Sequence, residues 1–325
     1  MCTAVSYLAG DHYFGRNLDL EYSYHETVTI TPRNYPFYFR HSKPNLHHHA
    51  MIGMAFVQEG YPLYYEATNE QGLSMAGLNF PRNAHYHTSV NGLTAVAPFE
   101  VIPWVLSQCE SVSQARELLS QTLVVQEHFS DQLPASPLHW IIADAKESIV
   151  LESVKEGMKV YDNPVGVLAN NPPFDYHLTH LTEFMGVTSR VPENRFAPSL
   201  NLQPYSLGMG SMGLPGDLSS ASRFVRAAFV KLNSHPAQTD AQNISQFFHM
   251  LDFVAQPKGC TLVRPGEYEF TLYSSCCNTT KGVYYYKTYD NNQITAVDMH
   301  AENLDSEHVI SYPLMTEQRI LLQNA

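Results

Sequence analysis

The chain has 325 residues, of which 44% are hydrophobic and 12% aromatic, enough for a large packed core. Its 19 basic and 31 acidic residues give a net charge of −12, which argues against nucleic acid or an anionic membrane as the main partner. The sequence opens without a basic segment followed by an apolar run, and it contains no run of ~18 apolar residues. We therefore expect neither a signal peptide nor a membrane-spanning helix, and a cytoplasmic location.

The first predicted element is a β-hairpin that begins at a cysteine. TAVSYL and HYFGRNLDL are strand-like, and residues 9–11 form a plausible turn between them. The small residue Cys2 permits removal of Met1, after which Cys2 carries both a thiol and an α-amine. Because an α-amine titrates near pH ~7.7–8, it can serve as the general base for the adjacent thiol.

The second arm of this hairpin folds back beside Cys2 and carries Arg16 and Asp19. A guanidinium close to sulfur favours the thiolate, and a carboxylate can hold the amine in place. These residues predict a nucleophile with its own base. The alternative is an ordinary cysteine at position 2 with a surface ion pair behind it.

Further strands follow in TVTITP, MIGMAFV, LYYEATNE and LSMAGLNF, with a hairpin turn at residues 69–72. The short loops between neighbouring strands indicate antiparallel pairing. His47, His48 and His49 lie in a polar loop between two of these strands. Ligands on adjacent residues seldom converge on one ion, so we favour a solvated loop over a metal site.

From residue 98 the apolar period changes to that of helices. PFEVIPWVLSQC and SVSQARELLSQ predict two consecutive helices, with Ser111 or Ser113 as the second cap. Strands return at LHWIIADA, SIVLES, KVYD and GVLAN. A helix capped by Asp217 or Ser219 and a second helix at DAQNISQFFHMLDFVA follow, and the strands YEFTLYSSCC, GVYYYKTYD and QITAVDM end the pattern.

This order lacks the strict βαβ alternation of a parallel sheet and predicts an α+β protein in which helix pairs cover two antiparallel sheets. No linker or internal repeat divides the chain, so we expect a single domain over residues 1–325. The five cysteines are odd in number and include a vicinal pair, which fits free thiols in a reducing compartment.

Several segments resemble the choloylglycine hydrolase family, which includes the bile salt hydrolases of gut lactobacilli. They run through nearly the whole chain: MCTAV, FGRNLDLEYS, ATNEQGLSMAGLNFP, PLHWIIAD, NPVGVLANNPPFDYH, LPGDLSSASRFVRAAF and GVYYYKTYDNNQI. The family belongs to the N-terminal nucleophile hydrolases. The resemblance therefore implies a four-layer αββα sandwich, in agreement with the order of elements.

The resemblance also implies roles for six residues. It gives Cys2 as nucleophile, with Arg16 and Asp19 holding its thiolate and α-amine. The side-chain amide of Asn170 and the backbone N–H of Asn79 form the oxyanion hole. Arg223 is the last polar residue of the site, although it lies off the apolar stripe of its helix, where an arginine is usually solvated. A shift of one residue would exchange the roles of Asn170 and Asn171.

Within the family, an asparagine at the position of Asn79 indicates a bile salt hydrolase and a tyrosine a penicillin V acylase. The resemblance also implies a broad apolar pocket for the steroid, formed by Leu18, Tyr24, Phe129, Leu133 and Leu138. For each of these residues, ordinary core packing is the alternative. The expected reaction is hydrolysis of glycine- and taurine-conjugated bile salts through a thioester, without metal or organic cofactor, in a homotetramer. The alternatives are a penicillin V or acyl homoserine lactone acylase of the same fold, and a non-catalytic binder of amphipathic anions.

Overall fold

The computed structural model describes residues 1–88 and 92–324. Its strands are β1 (Cys2–Ala9), β2 (Asp11–Leu20), β3 (Thr27–Thr31), β4 (Met51–Gln58), β5 (Tyr61–Asn69), β6 (Ser74–Asn79), β7 (Thr94–Val96), β8 (Thr122–Val124), β9 (Leu138–Ala143), β10 (Ser148–Val154), β11 (Gly157–Asp162), β12 (Val167–Leu168), β13 (Thr261–Arg264), β14 (Glu267–Asn278), β15 (Val283–Thr288), β16 (Thr295–Asp298) and β17 (Ile310–Pro313). Its α-helices are α1 (Val101–Leu106), α2 (Val112–Ser120), α3 (Phe174–His180), α4 (Ser220–Asn233) and α5 (Asp240–Asp252).

Most of the strands form two large antiparallel sheets. Sheet A has the order β12-β1-β2-β14-β15-β16, with β13 paired to β14, and sheet B has the order β11-β10-β9-β6-β5-β4-β3-β17. The strands β7 and β8 form a separate parallel pair. Early and late segments pair directly, β2 with β14 and β3 with β17. This interleaving supports our proposal of a single domain over residues 1–325.

The sheets stack face to face, and helices cover the outer face of each. α4 and α5 pack on sheet A, and α1 packs on sheet B. One apolar cluster joins helix residues such as Phe224 and Phe247 to both sheets, including Leu78 between them. A second cluster places Trp104 and Leu119 of α1 and α2 against sheet B. The predicted four-layer αββα sandwich of the α+β class is confirmed.

The opening hairpin forms as predicted, with Gly10 in the left-handed region at φ 76°. Ser111 and Ser219 cap their helices, each accepting a backbone N–H from three residues on. The predicted GVLAN strand is shortened to two residues, Val167 and Leu168. The sequence reasoning missed α3 and the strands β7, β8, β13 and β17. Of these, β17 pairs with the distant β3, whereas β13 pairs with β14, which follows it directly.

The loop prediction for the three consecutive histidines holds, but the expectation that all are solvated is wrong for His48. This residue is buried, with its ring centroid 4.8 Å from that of Phe37 and its two ring nitrogens each 2.8 Å from a carbonyl oxygen, of Tyr35 and of His49. The His48 ring therefore packs inside the loop and stabilises its conformation. None of the helices in residues 1–88 and 92–324 has the length and apolar character that a bilayer crossing requires.

Candidate active site

Cys2 begins β1 and lies in the interior, 1% exposed. In the antiparallel register of the hairpin, Cys2 stands opposite Leu18 and Ala4 opposite Arg16. Residues directly opposite each other on paired strands share a face of the sheet, and so do residues two apart on one strand. Leu18 and Arg16 therefore project to the same side as Cys2. That side faces sheet B, where Arg16 finds its hydrogen-bond partners.

The guanidinium of Arg16 bridges the two sheets. Its Nη1 donates to the carbonyl oxygens of Gly77 at 2.6 Å and Tyr65 at 3.1 Å. Burial acts to lower the pKa of Arg16, but interaction with Cys2, Tyr273 and Glu66 outweighs it and raises the pKa above its usual range. The structure thus holds a fully buried cation beside the Cys2 thiol.

Of the two consecutive asparagines, the structure brings Asn170 to Cys2. Its Oδ1 accepts from the Cys2 backbone nitrogen at 2.7 Å and its Nδ2 donates to the carbonyl of Asn79 at 2.7 Å. The amide of Asn171 instead donates to the carbonyl of Pro81. Asn170 lies in a bend after β12 rather than in the strand itself, so its direction follows from these contacts and not from strand alternation.

Arg223 lies in the first turns of α4 and is fully buried, unlike the solvated arginine that its position on the helix suggests. Its Nη1 donates to the Cys2 carbonyl and to Thr3 Oγ1, both at 2.5 Å, and its Nη2 donates to Asn170 Oδ1 at 2.8 Å. Burial lowers the pKa of Arg223. The helix packs directly on β1, so a residue beside its apolar stripe reaches the strand end at Cys2.

Asp19 is also buried, and its carboxylate accepts hydrogen bonds from one side chain in β14 and one in the segment before β13. Oδ1 accepts from Thr271 Oγ1 at 2.6 Å, and Oδ2 accepts from the Gln256 side chain at 3.5 Å. With Met1 present, the Met1 amine donates to the Asp19 backbone carbonyl at 2.9 Å and lies 2.5 Å from Glu269 Oε2. Burial raises the pKa of Glu269, and the adjacent Met1 ammonium opposes this.

Two of the predicted pocket residues lie beside this cluster. Leu18 is buried opposite Cys2, and Leu138 stands opposite Asn79 in sheet B. The other three lie in surface segments. The Tyr24 ring is 6.1 Å from that of Phe56, and Phe129, whose backbone N–H donates to the Leu133 carbonyl, has its ring 5.2 Å from that of Phe99. The hydrogen bonds and ring contacts described for these three do not connect them to Cys2.

Behind Asn170 lies a buried group of side chains that the sequence reasoning missed. His177 Nε2 contacts the Asn170 carbonyl at 2.8 Å, and His139 Nε2 contacts the Ala169 carbonyl at 2.9 Å. His139 Nδ1 contacts Glu152 Oε1 at 3.1 Å. Burial lowers the pKa of His177 to about 4, so its ring is neutral and fixes the backbone as an N–H donor. The sequence gives no local signal for this group, because His139 is a single histidine in a strand and His177 lies in a helix that was not predicted.

The arrangement defines a class of protein. An αββα sandwich with a buried cysteine at the head of its first strand, flanked by two buried arginines and an asparagine amide, is that of an N-terminal nucleophile hydrolase acting on amides. The family model for linear amide C–N hydrolases of the choloylglycine hydrolase family matches residues 2–312. The chain belongs to the choloylglycine hydrolase family.

Individual relatives agree with this assignment. The chain is 53% identical, over the full length of both proteins, to a bile salt hydrolase/transferase of Lactiplantibacillus plantarum, and 38% identical to one of Clostridium perfringens over 96% of both. A crystal structure of the C2A mutant of the C. perfringens conjugated bile acid hydrolase is similar with a TM-score of 0.91, 36% identity and complete coverage of both chains. Penicillin V acylase of Agrobacterium tumefaciens has the same fold, with a TM-score of 0.77 and 18% identity over 97% of this chain and 92% of the acylase.

Proposed function

We propose that this protein hydrolyses the amide bond of glycine- and taurine-conjugated bile salts, with Cys2 as the nucleophile. The observation that carries the proposal is the direct contact of Asn170 and Arg223 with Cys2, within a chain that matches this amidase family over residues 2–312. Relatives named bile salt hydrolases align end to end and support the choice of substrate.

In the proposed reaction, Met1 is first removed, and the Cys2 backbone nitrogen becomes the α-amine. Asn170 Oδ1 already accepts from this nitrogen, which supports a held amine. The amine takes the thiol proton, and the thiolate, beside Arg16, attacks the amide carbon of the substrate. The C–N bond then breaks, the protonated α-amine gives its proton to the departing amino acid nitrogen, and water hydrolyses the thioester to free bile acid.

The tetrahedral oxyanion would be stabilised by the Asn170 side-chain amide and the Asn79 backbone N–H. The two hydrogens on Asn170 Nδ2 support this role, because the contact with the Asn79 carbonyl uses one and leaves the other to donate. Arg223 fixes the Cys2 carbonyl and Asn170 together. We propose that Asp19, held by Thr271, acts on the α-amine once Met1 has left.

The proposed pocket for the steroid comprises Leu18, Tyr24, Phe129, Leu133 and Leu138. Leu18 and Leu138 stand opposite Cys2 and Asn79 in their sheets, which supports an apolar wall beside the reacting carbon. Tyr24 is exposed and Phe129 and Leu133 are partly buried, which suits an apolar rim at the surface. No step requires a metal or organic cofactor, because nucleophile, base and oxyanion donors are all protein groups.

We also propose a homotetramer in the cytoplasm. Residues 185–212 carry several large apolar side chains that are exposed in the single chain, among them Phe196 at 88% and Leu207 at 87%, and burial against other copies would remove them from water. Light scattering during gel filtration tests the tetramer. All five cysteines lie in described residues and are free thiols, which suits a reducing compartment.

One experiment tests both processing and chemistry: the intact mass of the purified protein, measured alongside amine release from glycocholate and taurocholate. We expect a mass without Met1 and release of glycine and taurine. Penicillin V and an acyl homoserine lactone are the comparison substrates. Turnover of one of these with no release from either bile salt would refute the proposed substrate, and an inactive protein of des-Met mass would refute the proposed chemistry.

A further inference from the structure

Glu66 is a buried carboxylate that the mechanism above leaves without a role. It lies in β5 of sheet B, is 2% exposed, and projects between the sheets toward sheet A. Three sheet A hydroxyls donate to it: Tyr284 at 2.6 Å and Ser275 at 2.9 Å to Oε1, and Tyr273 at 2.8 Å to Oε2. Arg16 Nε lies 3.9 Å from Oε2.

These contacts indicate that Glu66 is ionised. Ser275 Oγ accepts the backbone N–H of Arg16 at 3.2 Å, so its own proton is available to Glu66. A carboxyl that accepts three hydroxyl protons uses its acceptor sites as a carboxylate does. The pKa of Glu66 lies above its usual value because the effect of burial outweighs those of Arg16 and the three hydroxyls, which act in the opposite sense. A buried ion of this kind persists only with a partner of opposite charge, and Arg16 is the cation at hand.

We propose that Glu66 is a positioning residue for the Cys2 reaction, which fixes the guanidinium of Arg16 and shares its positive charge with Cys2. The inference rests on the proposed role of Cys2 as nucleophile. Arg16 Nε lies 3.9 Å from Glu66, and the hairpin register places Arg16 on the same face of sheet A as Cys2. While Cys2 is a neutral thiol, Glu66 balances the guanidinium. When the thiolate forms, the guanidinium of Arg16 is the positive charge that stabilises both the Glu66 carboxylate and the Cys2 thiolate.

The charge count gives a directional consequence. The titratable groups that interact with Glu66 are Arg16 on β2, Tyr65 on β5, Tyr273 and Cys277 on β14, and Tyr284 on β15. Burial raises the pKa of each of these tyrosines and of Cys277, so they stay neutral at moderate pH. Removing the Glu66 charge would therefore leave Arg16 free to favour the Cys2 thiolate alone, and the thiolate would form at lower pH.

The test measures the pH dependence of Cys2 alkylation by iodoacetamide, followed by peptide mass in a Cys260→Ala background, since Cys260 is exposed. Glu66→Gln keeps size and removes charge. We expect the alkylation midpoint to fall by about one pH unit, which is about a tenfold faster reaction well below the wild-type midpoint. We also expect kcat for amine release to fall about tenfold because Arg16 is less firmly held. Glu156→Gln, in an exposed turn, is the control with the same change in net charge.

Glu66→Asp is the second variant, because it keeps the charge but withdraws the carboxylate from Arg16. It should lower kcat and leave the midpoint near the wild-type value. A midpoint in Glu66→Gln that is unchanged or higher would overturn the inference. If Glu66→Gln does not fold, wild-type turnover in a folded Glu66→Asp protein would overturn it equally. Alkylation needs no bile salt, so these outcomes are separate from a failure of the proposed substrate, which would leave the wild-type enzyme without amine release.

Discussion

Replacing Asn170 by alanine tests the proposed oxyanion hole directly. In the proposed mechanism the Asn170 Nδ2 donates to the oxyanion, and in the structure its Oδ1 accepts hydrogen bonds from the Cys2 nitrogen and from Arg223 Nη2. Loss of one preorganised oxyanion donor lowers kcat by roughly 10²–10³, with a much smaller effect on KM. Loss of the Oδ1 also leaves two buried donors without their partner, at about 1–3 kcal/mol each in unfolding free energy.

The matched control is Asn171→Ala, one residue along. The Asn171 side chain is only partly buried and donates to the Pro81 carbonyl, so its removal should cost about 1 kcal/mol or less and change kcat little. Steady-state release of glycine from glycocholate gives kcat and KM, and urea unfolding of both variants separates chemistry from stability. A larger fall in kcat for Asn171→Ala, with Asn170→Ala nearly silent, would refute the assigned oxyanion hole.

Three further predictions follow from particular side chains. Cys2→Ser should keep the fold and substrate binding but lose nearly all turnover, since a hydroxyl is far less acidic than a thiol, and wild-type rates of amine release would remove Cys2 as nucleophile. Substantial activity should survive when Cys109, Cys260, Cys276 and Cys277 are replaced together by Ala or Ser. Loss of activity in a folded variant would implicate a second thiol. Burial lowers the pKa of His12 and of His177 to about 4, so the unfolded chain binds more protons than the native one between pH 6.5 and 4. Stability should fall across that range on acidification, by up to about 3 kcal/mol per histidine, and urea midpoints that stay flat in wild type would contradict this.

The sequence predicted the two sheets because each strand carries its own local pattern, and the short loops between strands indicated antiparallel pairing. It could not predict partners brought together from distant segments. Glu66 reads as one acidic residue in an apolar strand, and only the stacking of sheet B on sheet A gives it Tyr273, Ser275 and Tyr284. The edge strand β17 was missed for the same reason, since its partner β3 lies near the start of the chain. The strand β13 was also missed, although its partner β14 follows it directly.

Among the site residues, local pattern was informative at Cys2 and Arg16, which share one hairpin and therefore one register. It misjudged the surroundings of Arg223. The helical period separates an apolar stripe from the rest of α4, but α4 packs on β1 closely enough that a polar residue beside the stripe is also buried. The arginine is tolerated there because the Cys2 carbonyl, Thr3 and Asn170 accept its protons.

The position of Met1 links the fold to the chemistry. The Met1 ammonium forms an ion pair with Glu269, and the Gln256 side chain donates to the carboxylates of both Glu269 and Asp19. The Cys2 nitrogen donates to the Asn170 side chain. If Met1 is removed as proposed, the two neighbouring buried carboxylates lose the Met1 ammonium, and the Cys2 nitrogen becomes a new amine at the start of the same strand. Like charges this close are stabilised by a positive group between them. We therefore propose that the pair favours the protonated amine that forms when this amine takes the Cys2 thiol proton, while Asn170 holds the amine nitrogen and Arg16 and Arg223 supply positive charge near the sulfur.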